Sequence, residues 1–377
     1  IQDYPQSIAV AGTHGKTTTS SLIGYLLLQA SLDPTIVVGG EVTAWDGNAR
    51  LGNSPYLVAE ADESDGSLAK LAPQIGVITN IELDHPDHYE SLEDVIAIFQ
   101  TFADRCQVIV GCIDCETVRS RIKPTISYSL HKESGADYSV DQVNYHAYGT
   151  TARVWEGDQV LGEIHLKLLG QHNLSNALSV VAVGRQLGLE LDVIAEAIAT
   201  FEGAKRRFEL RGKCNGISFI DDYAHHPSEI QATLAAARLR KEESLSSTSE
   251  QQQQRIVAIF QPHRYSRTLT FLQEFAQSFG NADIVVVTDI YSAGEPNLEQ
   301  ITGQLVRDAI CAATESSTNA AHHEMVYYRP TLESVAEFLK QTLQPGDLAL
   351  FLGAGNLNQI IPQLIDFYQI AGKDCSS

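Results

Sequence analysis

The chain opens with a strand, a glycine-rich loop and a helix in direct succession, and this segment constrains the fold most. Residues 7–11 form an apolar run of strand length, and residues 20–30 are apolar at helical spacing. The loop over residues 12–19 reads Gly-Thr-His-Gly-Lys-Thr-Thr-Thr. Backbone N–H groups that converge at a helix start bind phosphate, a lysine adds positive charge, and a threonine hydroxyl can reach magnesium. The segment therefore predicts a phosphate-binding loop.

This loop departs from the common P-loop pattern of kinases and GTPases. Val10 stands where that pattern, Gly-x-x-x-x-Gly-Lys-Thr, has its first glycine. The alternative is a glycine turn that only joins strand to helix, but such a turn does not explain a lysine followed by three threonines. The residues predicted to bind the cofactor phosphates are Gly12, Thr13, His14, Gly15, Lys16, Thr17 and Thr18.

Strand-like runs alternate with helical segments along most of the chain, which favours mainly parallel sheets covered by helices. Between residues 138 and 168, short alternating segments instead favour antiparallel strands that extend the first domain. A second alternating set begins after Arg207. We predict an α/β fold of two domains: a P-loop-type central ATP-binding domain over residues 1–204, and a Rossmann-like, doubly wound, amino-acid-binding domain over residues 205–377.

One segment is predicted to lack structure. Residues 241–254 read KEESLSSTSEQQQQ and contain almost no apolar side chains. Such a composition cannot bury enough apolar surface to offset ordering, so we predict a mobile surface loop there.

Composition excludes several classes of function. With 26 Lys+Arg against 47 Asp+Glu, the net charge of -21 repels phosphate backbones, so we expect no nucleic-acid partner. No apolar run is long enough to span a bilayer, which predicts no membrane insertion. The six cysteines are scattered, and Cys112 and Cys115 form the only Cys-x-x-Cys pair. We predict reduced, structural cysteines in a cytoplasmic protein.

Carboxylates are concentrated directly after two of the predicted strands. Residues 60–65 read Glu-Ala-Asp-Glu-Ser-Asp, and four carboxylates this close repel one another unless a cation binds there. Magnesium prefers oxygen ligands and is commonly shared with nucleotide phosphates, whereas the alternative is a solvated acidic turn. Residues 80–88 contain two histidines three positions apart, which could indicate zinc. Because no third zinc ligand is evident, we favour one imidazole beside a carboxylate-bound magnesium.

Six motifs occur in the order found in Mur ligases, and the chain resembles that family over essentially its whole length. The motifs are the phosphate loop, residues 60–65, residues 80–85, Gly-Gln-His-Asn-Leu-Ser-Asn-Ala at 170–177, Lys-Arg-Arg-Phe at 205–208 and Asp-Asp-Tyr-Ala-His-His-Pro at 221–227. The loop histidine, the His-His-Pro string and His-Arg-Tyr-Ser-Arg-Thr at 263–268 resemble the branch that joins L-alanine to UDP-N-acetylmuramate.

The resemblance implies catalytic roles for four residues. Lys16 would hold the β and γ phosphates of ATP, and Arg207 would contact phosphate across the domain boundary. Glu60 and His85 would bind Mg²⁺ together with Thr17.

The resemblance also implies which residues bind the nucleoside and the second substrates. Asn173 and Asn176, one helical turn apart, would offer amide groups to the adenine edge, with His172 beside them. The alternative for the two asparagines is helix capping, which asparagine favours. Asp222 would accept hydrogen bonds from the ribose hydroxyls. The residues implied for L-alanine and the muramoyl group are His225, Arg264 and Arg267, where the alternative for the arginines is ordinary surface charge.

The activity implied is ATP-dependent ligation of L-alanine to the lactyl carboxylate of UDP-N-acetylmuramate through an acyl phosphate, in peptidoglycan biosynthesis. Members of the family carry a further UDP-binding domain to which nothing in this sequence corresponds, so we expect the UDP contacts to lie in a preceding segment. Three alternatives stay open: a ligase that joins a recycled tripeptide to the same muramate, a folylpolyglutamate-type ligase, and a nucleotide-binding module without ligase activity. The choice among L-alanine, L-serine and glycine and the oligomeric state are not predicted.

Overall fold

A computed structural model describes residues 4–246, 254–316 and 325–374 of the chain. The chain divides into two compact units, Ile1–Lys205 and Arg206–Ser377, called unit 1 and unit 2 below.

The described part of unit 1 is a ten-stranded sheet covered by helices. Its strands are β1 (Gln6–Ala11), β2 (Thr35–Val42), β3 (Gly47–Arg50), β4 (Tyr56–Glu60), β5 (Ile75–Ile78), β6 (Val108–Cys112), β7 (Ile126–Ser129), β8 (Tyr138–His146), β9 (Gly149–Glu156) and β10 (Gln159–Leu166). Its α-helices are α1 (Lys16–Gln29), α2 (Leu92–Ala103), α3 (Gln171–Gln186) and α4 (Leu191–Thr200). The strand order is β10-β9-β8-β7-β6-β5-β1-β4-β2-β3.

The sheet of unit 1 is parallel from β8 to β2 and antiparallel at both ends. At one end β9 and β10 continue from β8 as antiparallel strands, which confirms the prediction for residues 138–168. At the other end β3 pairs antiparallel with β2.

Alternation along β1 shows that both faces of this sheet are covered. Ile8 and Val10 belong to a core that includes side chains of α1, α3 and α4. Ala9 and Ala11 point to the other face and belong to a second core that includes side chains of α2. Because side chains alternate along a strand, the apolar run of β1 is buried on both sides, as in helix-covered parallel sheets.

Strand order brings three of the predicted site segments together. β1 lies between β4 and β5, and all three run parallel. The phosphate loop follows β1, the acidic segment follows β4, and residues 79–85 follow β5. Carboxyl ends of parallel strands lie at one edge of a sheet, where ligands of such folds bind.

Unit 2 contains a six-stranded sheet within its described residues. Its strands are β11 (Glu209–Cys214), β12 (Ile217–Asp222), β13 (Ile256–Phe260), β14 (Ile284–Val287), β15 (Met325–Tyr328) and β16 (Leu348–Leu352), and its α-helices are α5 (Pro227–Ser246), α6 (Tyr265–Thr270), α7 (Leu272–Ala276), α8 (Gly303–Ser316), α9 (Leu332–Thr342) and α10 (Ile361–Asp374). The order is β11-β12-β16-β13-β14-β15, parallel except for the edge strand β11. The α/β fold with two mainly parallel sheets is therefore confirmed.

The prediction for residues 241–254 is wrong in its first part. Helix α5 continues to Ser246, since Lys, Glu and Leu are good helix formers. Residues 247–253 lie outside the described residues.

The described cysteines form no disulfide: Cys106, Cys112, Cys115, Cys214 and Cys311 are all free. Burial raises the pKa of Cys106 to about 12 and also raises the pKa of Cys112, so these thiols stay protonated at neutral pH. Among the described helices, none combines the length and the apolar character needed to cross a bilayer.

Candidate functional site

Two glycines give the phosphate loop its shape. Gly12 has φ 138°, and a Cβ at this position would lie 1.9 Å from Thr79 Oγ1. Gly15, which precedes helix α1, has φ 81°, and a Cβ there would lie 2.5 Å from Asn176 Oδ1. Both positions therefore require glycine for backbone conformation and for close approach of a neighbouring segment.

The loop is fixed to the segment after β5 by hydrogen bonds from both sides. The backbone N–H groups of Thr13 and His14 donate to the carbonyl and side-chain oxygens of Asn80 at 3.0 and 2.9 Å. The Thr79 hydroxyl and the Asn80 amide donate back to the His14 carbonyl at 2.6 and 3.1 Å. Glu82 N donates to Thr13 Oγ1 at 2.8 Å, and Glu82 Oε2 lies 3.4 Å from His14 Nε2. The loop is thus a rigid part of the sheet edge.

Lys16 lies within a ring of oxygen atoms. Its Nζ donates to the carbonyls of Gly12 and Thr13 at 2.8 and 3.3 Å and to Glu63 Oε2 at 2.9 Å, and Asp62 Oδ2 lies at 3.5 Å. Burial alone would lower the pKa of Lys16, but the charges of Glu63 and Asp62 outweigh it and raise that pKa above its usual value. Lys16 is therefore a buried ammonium at neutral pH.

Thr17 and Glu60 form an oxygen pair next to this lysine. Thr17 Oγ1 donates to Glu60 Oε1 at 3.0 Å, and the Gly39 N–H donates to Glu60 Oε2 at 2.7 Å. Ser20 Oγ lies 3.5 Å from the same Oε2. A hydroxyl and a carboxylate held together at the start of a phosphate-loop helix are ligands of the kind that Mg²⁺ prefers. Thr18, the next residue, is buried.

His85 lies close to the acidic segment in a left-handed backbone conformation, with φ 56°. Its Nε2 is 3.7 Å from Asp84 Oδ2. Burial would raise the pKa of Asp62, but the charge of Lys16, hydrogen bonds from Ser64 and the charge of His85 lower it. His85 is thus near enough to Asp62 to affect its ionisation, while its role as a metal ligand stays a prediction.

The N-terminal part of helix α3 faces the phosphate loop. Asn176 is buried, its Oδ1 would lie 2.5 Å from a Cβ at Gly15, and its Nδ2 lies 3.4 Å from Asn173 Oδ1. Asn173 Nδ2 donates to the Leu169 carbonyl at 2.8 Å, and His172 is exposed. The N-cap of α3 is Gly170, without a side-chain capping hydrogen bond, so the capping alternative for the two asparagines is wrong. Their contact with adenine stays a prediction.

In unit 2, Asp222 fixes the turn that contains Arg207. The Phe208 N–H and the Ala224 N–H donate to its two carboxylate oxygens at 2.7 and 2.8 Å, and Thr233 Oγ1 lies at 3.4 Å. Burial raises the pKa of Asp222 to about 6, against the lowering effect of Arg207 and of the backbone hydrogen bonds. Asp222 is only 6% exposed, so its observed contacts are structural, and the ribose role stays a prediction.

Arg207 lies over an aromatic ring and near a carboxylate of unit 2. Its guanidinium carbon is 5.2 Å from the Tyr223 ring centre, and Nη1 is 3.9 Å from Glu229 Oε1. The side chain is 28% exposed, so its donors remain accessible to a ligand. The phosphate contact implied for Arg207 stays a prediction.

The three predicted substrate residues, His225, Arg264 and Arg267, lie near the ring of His263. His225 and His263 contact edge to face, with ring centres 5.6 Å apart, and His263 stacks on Tyr291 at 5.7 Å. Arg267 is 1% exposed, and its Nη1 lies 3.3 Å from His263 Nδ1. Arg264 is half-buried with φ 65°, and its N–H donates to the Tyr291 carbonyl at 2.8 Å. Neither arginine is an ordinary exposed surface charge, so that alternative is wrong.

The glycines of residues 353–355 lie in the turn that follows strand β16. The segment joins β16 to a short 3₁₀-helix at Leu357–Ile360. A Cβ at Gly353 would lie 2.8 Å from the Gln261 carbonyl, and one at Gly355 would lie 2.3 Å from Gln261 Oε1. Close packing against Gln261 accounts for both glycines.

Sequence reasoning missed three contributors to the site of unit 1. Glu63 pairs with Lys16, the Gly39 N–H holds Glu60, and Asn80 fixes the phosphate loop. Glu63 and Asn80 lie inside motifs that the sequence singled out. No local signal identifies Gly39, because its contact depends on β2 lying beside β4.

Comparison with known families agrees with this arrangement. A phosphate loop on one mainly parallel sheet and a second mainly parallel α/β unit are features typical of nucleotide-binding α/β proteins. The family described as Mur ligase middle domain matches residues 10–184, and the family described as Mur ligase, glutamate ligase domain, matches residues 206–355. The chain belongs to the Mur ligase family.

Relatives within the family are more specific. A protein of Nostoc punctiforme named UDP-N-acetylmuramate–L-alanine ligase is 67% identical over 97% of this chain and 72% of its own length. A protein of a Cyanothece species with the same name is 63% identical over 98% of this chain and 75% of its own length.

Solved structures of relatives with lower sequence identity share the fold of this chain. The UDP-N-acetylmuramate–alanine ligase of Thermotoga maritima has a TM-score of 0.80 at 27% identity, covering 98% of this chain and 77% of that chain. A MurF ligase of the same organism, solved with ADP, shares the fold with a TM-score of 0.72 at 18% identity, covering 100% of this chain and 82% of that chain.

Proposed function

We propose that this chain ligates L-alanine to the lactyl carboxylate of UDP-N-acetylmuramate at the expense of ATP, in peptidoglycan biosynthesis. The proposal rests on one observation. This chain, which is 67% identical to a ligase of that name, has Lys16 and the Thr17–Glu60 pair at the start of a phosphate-loop helix. ATP would bind at this loop in unit 1, and we place the reaction in the cytoplasm.

The reaction needs activation because a free carboxylate does not acylate an amine at neutral pH. The lactyl carboxylate oxygen attacks the γ phosphorus of ATP and displaces ADP, which gives an acyl phosphate. The alanine amine then attacks the acyl carbon, loses a proton, and inorganic phosphate leaves from the tetrahedral intermediate. Lys16 would neutralise charge on the transferring phosphoryl group, so catalysis rests on position and electrostatics.

The oxygen donors beside the phosphate loop fit a magnesium ion. Thr17 Oγ1 and Glu60 Oε1 already lie 3.0 Å apart, and both are hard ligands. When bound, Mg²⁺ would neutralise phosphate charge. Thr17, Glu60 and His85 would hold it.

The proposed function is tested by leaving out one substrate at a time. We expect phosphate release and a new alanyl product only when ATP, Mg²⁺, UDP-N-acetylmuramate and L-alanine are all present. L-serine, glycine and a tripeptide in place of L-alanine test the choice of amine. ATP turnover without the muramate, or turnover with the tripeptide alone, would contradict the proposal.

Substitution of Thr17 tests the magnesium assignment. Thr17→Val keeps the shape but removes the hydroxyl that bonds Glu60, so we expect the Mg²⁺ concentration for half-maximal activity to rise about tenfold or more. Thr19→Val is the matched control, because the buried Thr19 hydroxyl accepts or donates no hydrogen bond among the described residues. Equal magnesium requirements in the two variants would remove Thr17 from the metal site.

A further inference from the structure

All donors of the Lys16 ammonium are used inside the protein. An ammonium group has three N–H donors, and those of Lys16 reach the carbonyls of Gly12 and Thr13 and the carboxylate of Glu63. A phosphate oxygen can therefore bind Lys16 only by displacing one of these acceptors. The two carbonyls belong to the loop itself and carry no net charge. Of the three acceptors, Glu63 is therefore the one whose negative charge competes with that of a phosphate for the ammonium.

The backbone of Glu63 is held in place by hydrogen bonds. Its backbone carbonyl accepts hydrogen bonds from the Gly66 N–H at 3.0 Å and from the Tyr89 hydroxyl. Its side chain is 2% exposed. The backbone at Glu63 is thus held in place by two hydrogen bonds, and its carboxylate is buried beside Lys16.

Lys16 is also the one cationic partner that Glu63 has among the described residues. Oε2 pairs with Lys16, while Oε1 is buried and accepts no hydrogen bond from those residues. A buried charge that loses its partner is strongly unfavourable, so Glu63 holds the ammonium more firmly than an exposed carboxylate would.

We propose that Glu63 is a positioning residue that competes with the nucleotide phosphates for the Lys16 ammonium and thereby limits how tightly the loop binds ATP. The proposal rests on the function given above, because it takes the loop of unit 1 as the ATP site. Glu63 holds the Lys16 ammonium inside the loop and thereby lowers the affinity of the loop for nucleotide phosphates. The lower affinity favours release of ADP after each turnover.

The direction of a change in ATP affinity separates this role from a merely structural one. Glu63→Gln keeps the shape but removes the competing charge, so we expect the dissociation constant of ATP with Mg²⁺ to fall about tenfold or more, measured by calorimetric titration. A scaffold role for Glu63 gives the opposite result, since a loosened loop binds ATP more weakly. Asp65→Asn is the matched control: it removes the same charge two positions away, where the carboxylate is exposed and accepts from Ser67 N at 2.9 Å. We expect less than about a twofold change there.

A second variant covers the case in which Glu63→Gln does not fold. Glu63→Asp keeps the charge but withdraws it by one methylene from a 2.9 Å contact, and we expect a smaller fall in the same dissociation constant. An unchanged or higher dissociation constant in the folded variants overturns the inference. If the wild type binds ATP and Lys16→Ala weakens that binding, an unchanged or higher dissociation constant in the Glu63 variants overturns the role of Glu63 and leaves the proposed function standing. If the wild type does not bind ATP, the proposed function falls with it.

Discussion

Replacement of Lys16 by alanine is expected to lower the rate of phosphate release by about 10²–10³-fold or more, because it removes the positive charge that we propose neutralises the transferring phosphoryl group. The measurement is a phosphate-release assay with all substrates at saturation. Lys70→Ala is the control, since Lys70 is an exposed lysine of the same unit.

The same substitution leaves Glu63 buried without its cation, so a loss of stability could imitate a loss of catalysis. The double variant Lys16→Ala/Glu63→Gln removes both charges of the pair and avoids this penalty. We expect the double variant to melt close to the wild type and to stay inactive. Recovery of activity in the double variant would show that Lys16 acts on stability and not on the reaction.

Replacement of Gly12 by alanine is expected to raise the dissociation constant of ATP about a hundredfold and to lower the melting temperature. The new methyl group would meet Thr79 Oγ1 at 1.9 Å and the Thr79 backbone nitrogen at 3.1 Å, at a φ of 138° that alanine rarely adopts. Either the loop or Thr79 must shift, which breaks the hydrogen bond from Thr79 to the His14 carbonyl. Overpacking and backbone strain together cost about 2–5 kcal/mol.

Gly135→Ala is the matched control for this substitution. Gly135 has φ 75°, and a Cβ there meets nothing within 4 Å, so the variant reports the cost of a positive φ without a clash. We expect Gly135→Ala to lower the melting temperature slightly and to leave ATP binding unchanged. Equal affinities for ATP in the two variants would mean that the shape of the loop does not depend on Gly12.

Local patterns predicted the elements and the main motifs of unit 1. The strand, loop and helix of residues 6–29 follow from apolar spacing and from the composition of the loop. The acidic residues after β4 and the polar residues after β5 could be recognised because each directly follows a buried strand. Short edge strands such as β3 (Gly47–Arg50) were not predicted, since their residues are mostly exposed and show little apolar alternation.

Contacts between segments could not be predicted in the same way. Lys16 and Glu63 are 47 positions apart, and the Gly39 N–H reaches Glu60 only because β2 and β4 are neighbours in the sheet. Alternation of strands and helices predicts a parallel sheet but does not give the order of its strands. The buried state of Arg267 was missed for a related reason, because an arginine in sequence indicates an exposed charge unless its neighbours in space are known.

The hydrogen bonds that join the phosphate loop to Thr79, Asn80 and Glu82 form within unit 1 alone. The backbone of the loop therefore loses its conformational entropy when the sheet folds, and little remains to be lost when a nucleotide arrives. Association should then proceed without a slow isomerisation step, and the heat capacity change of ATP binding should be small, since few apolar groups leave water in the process.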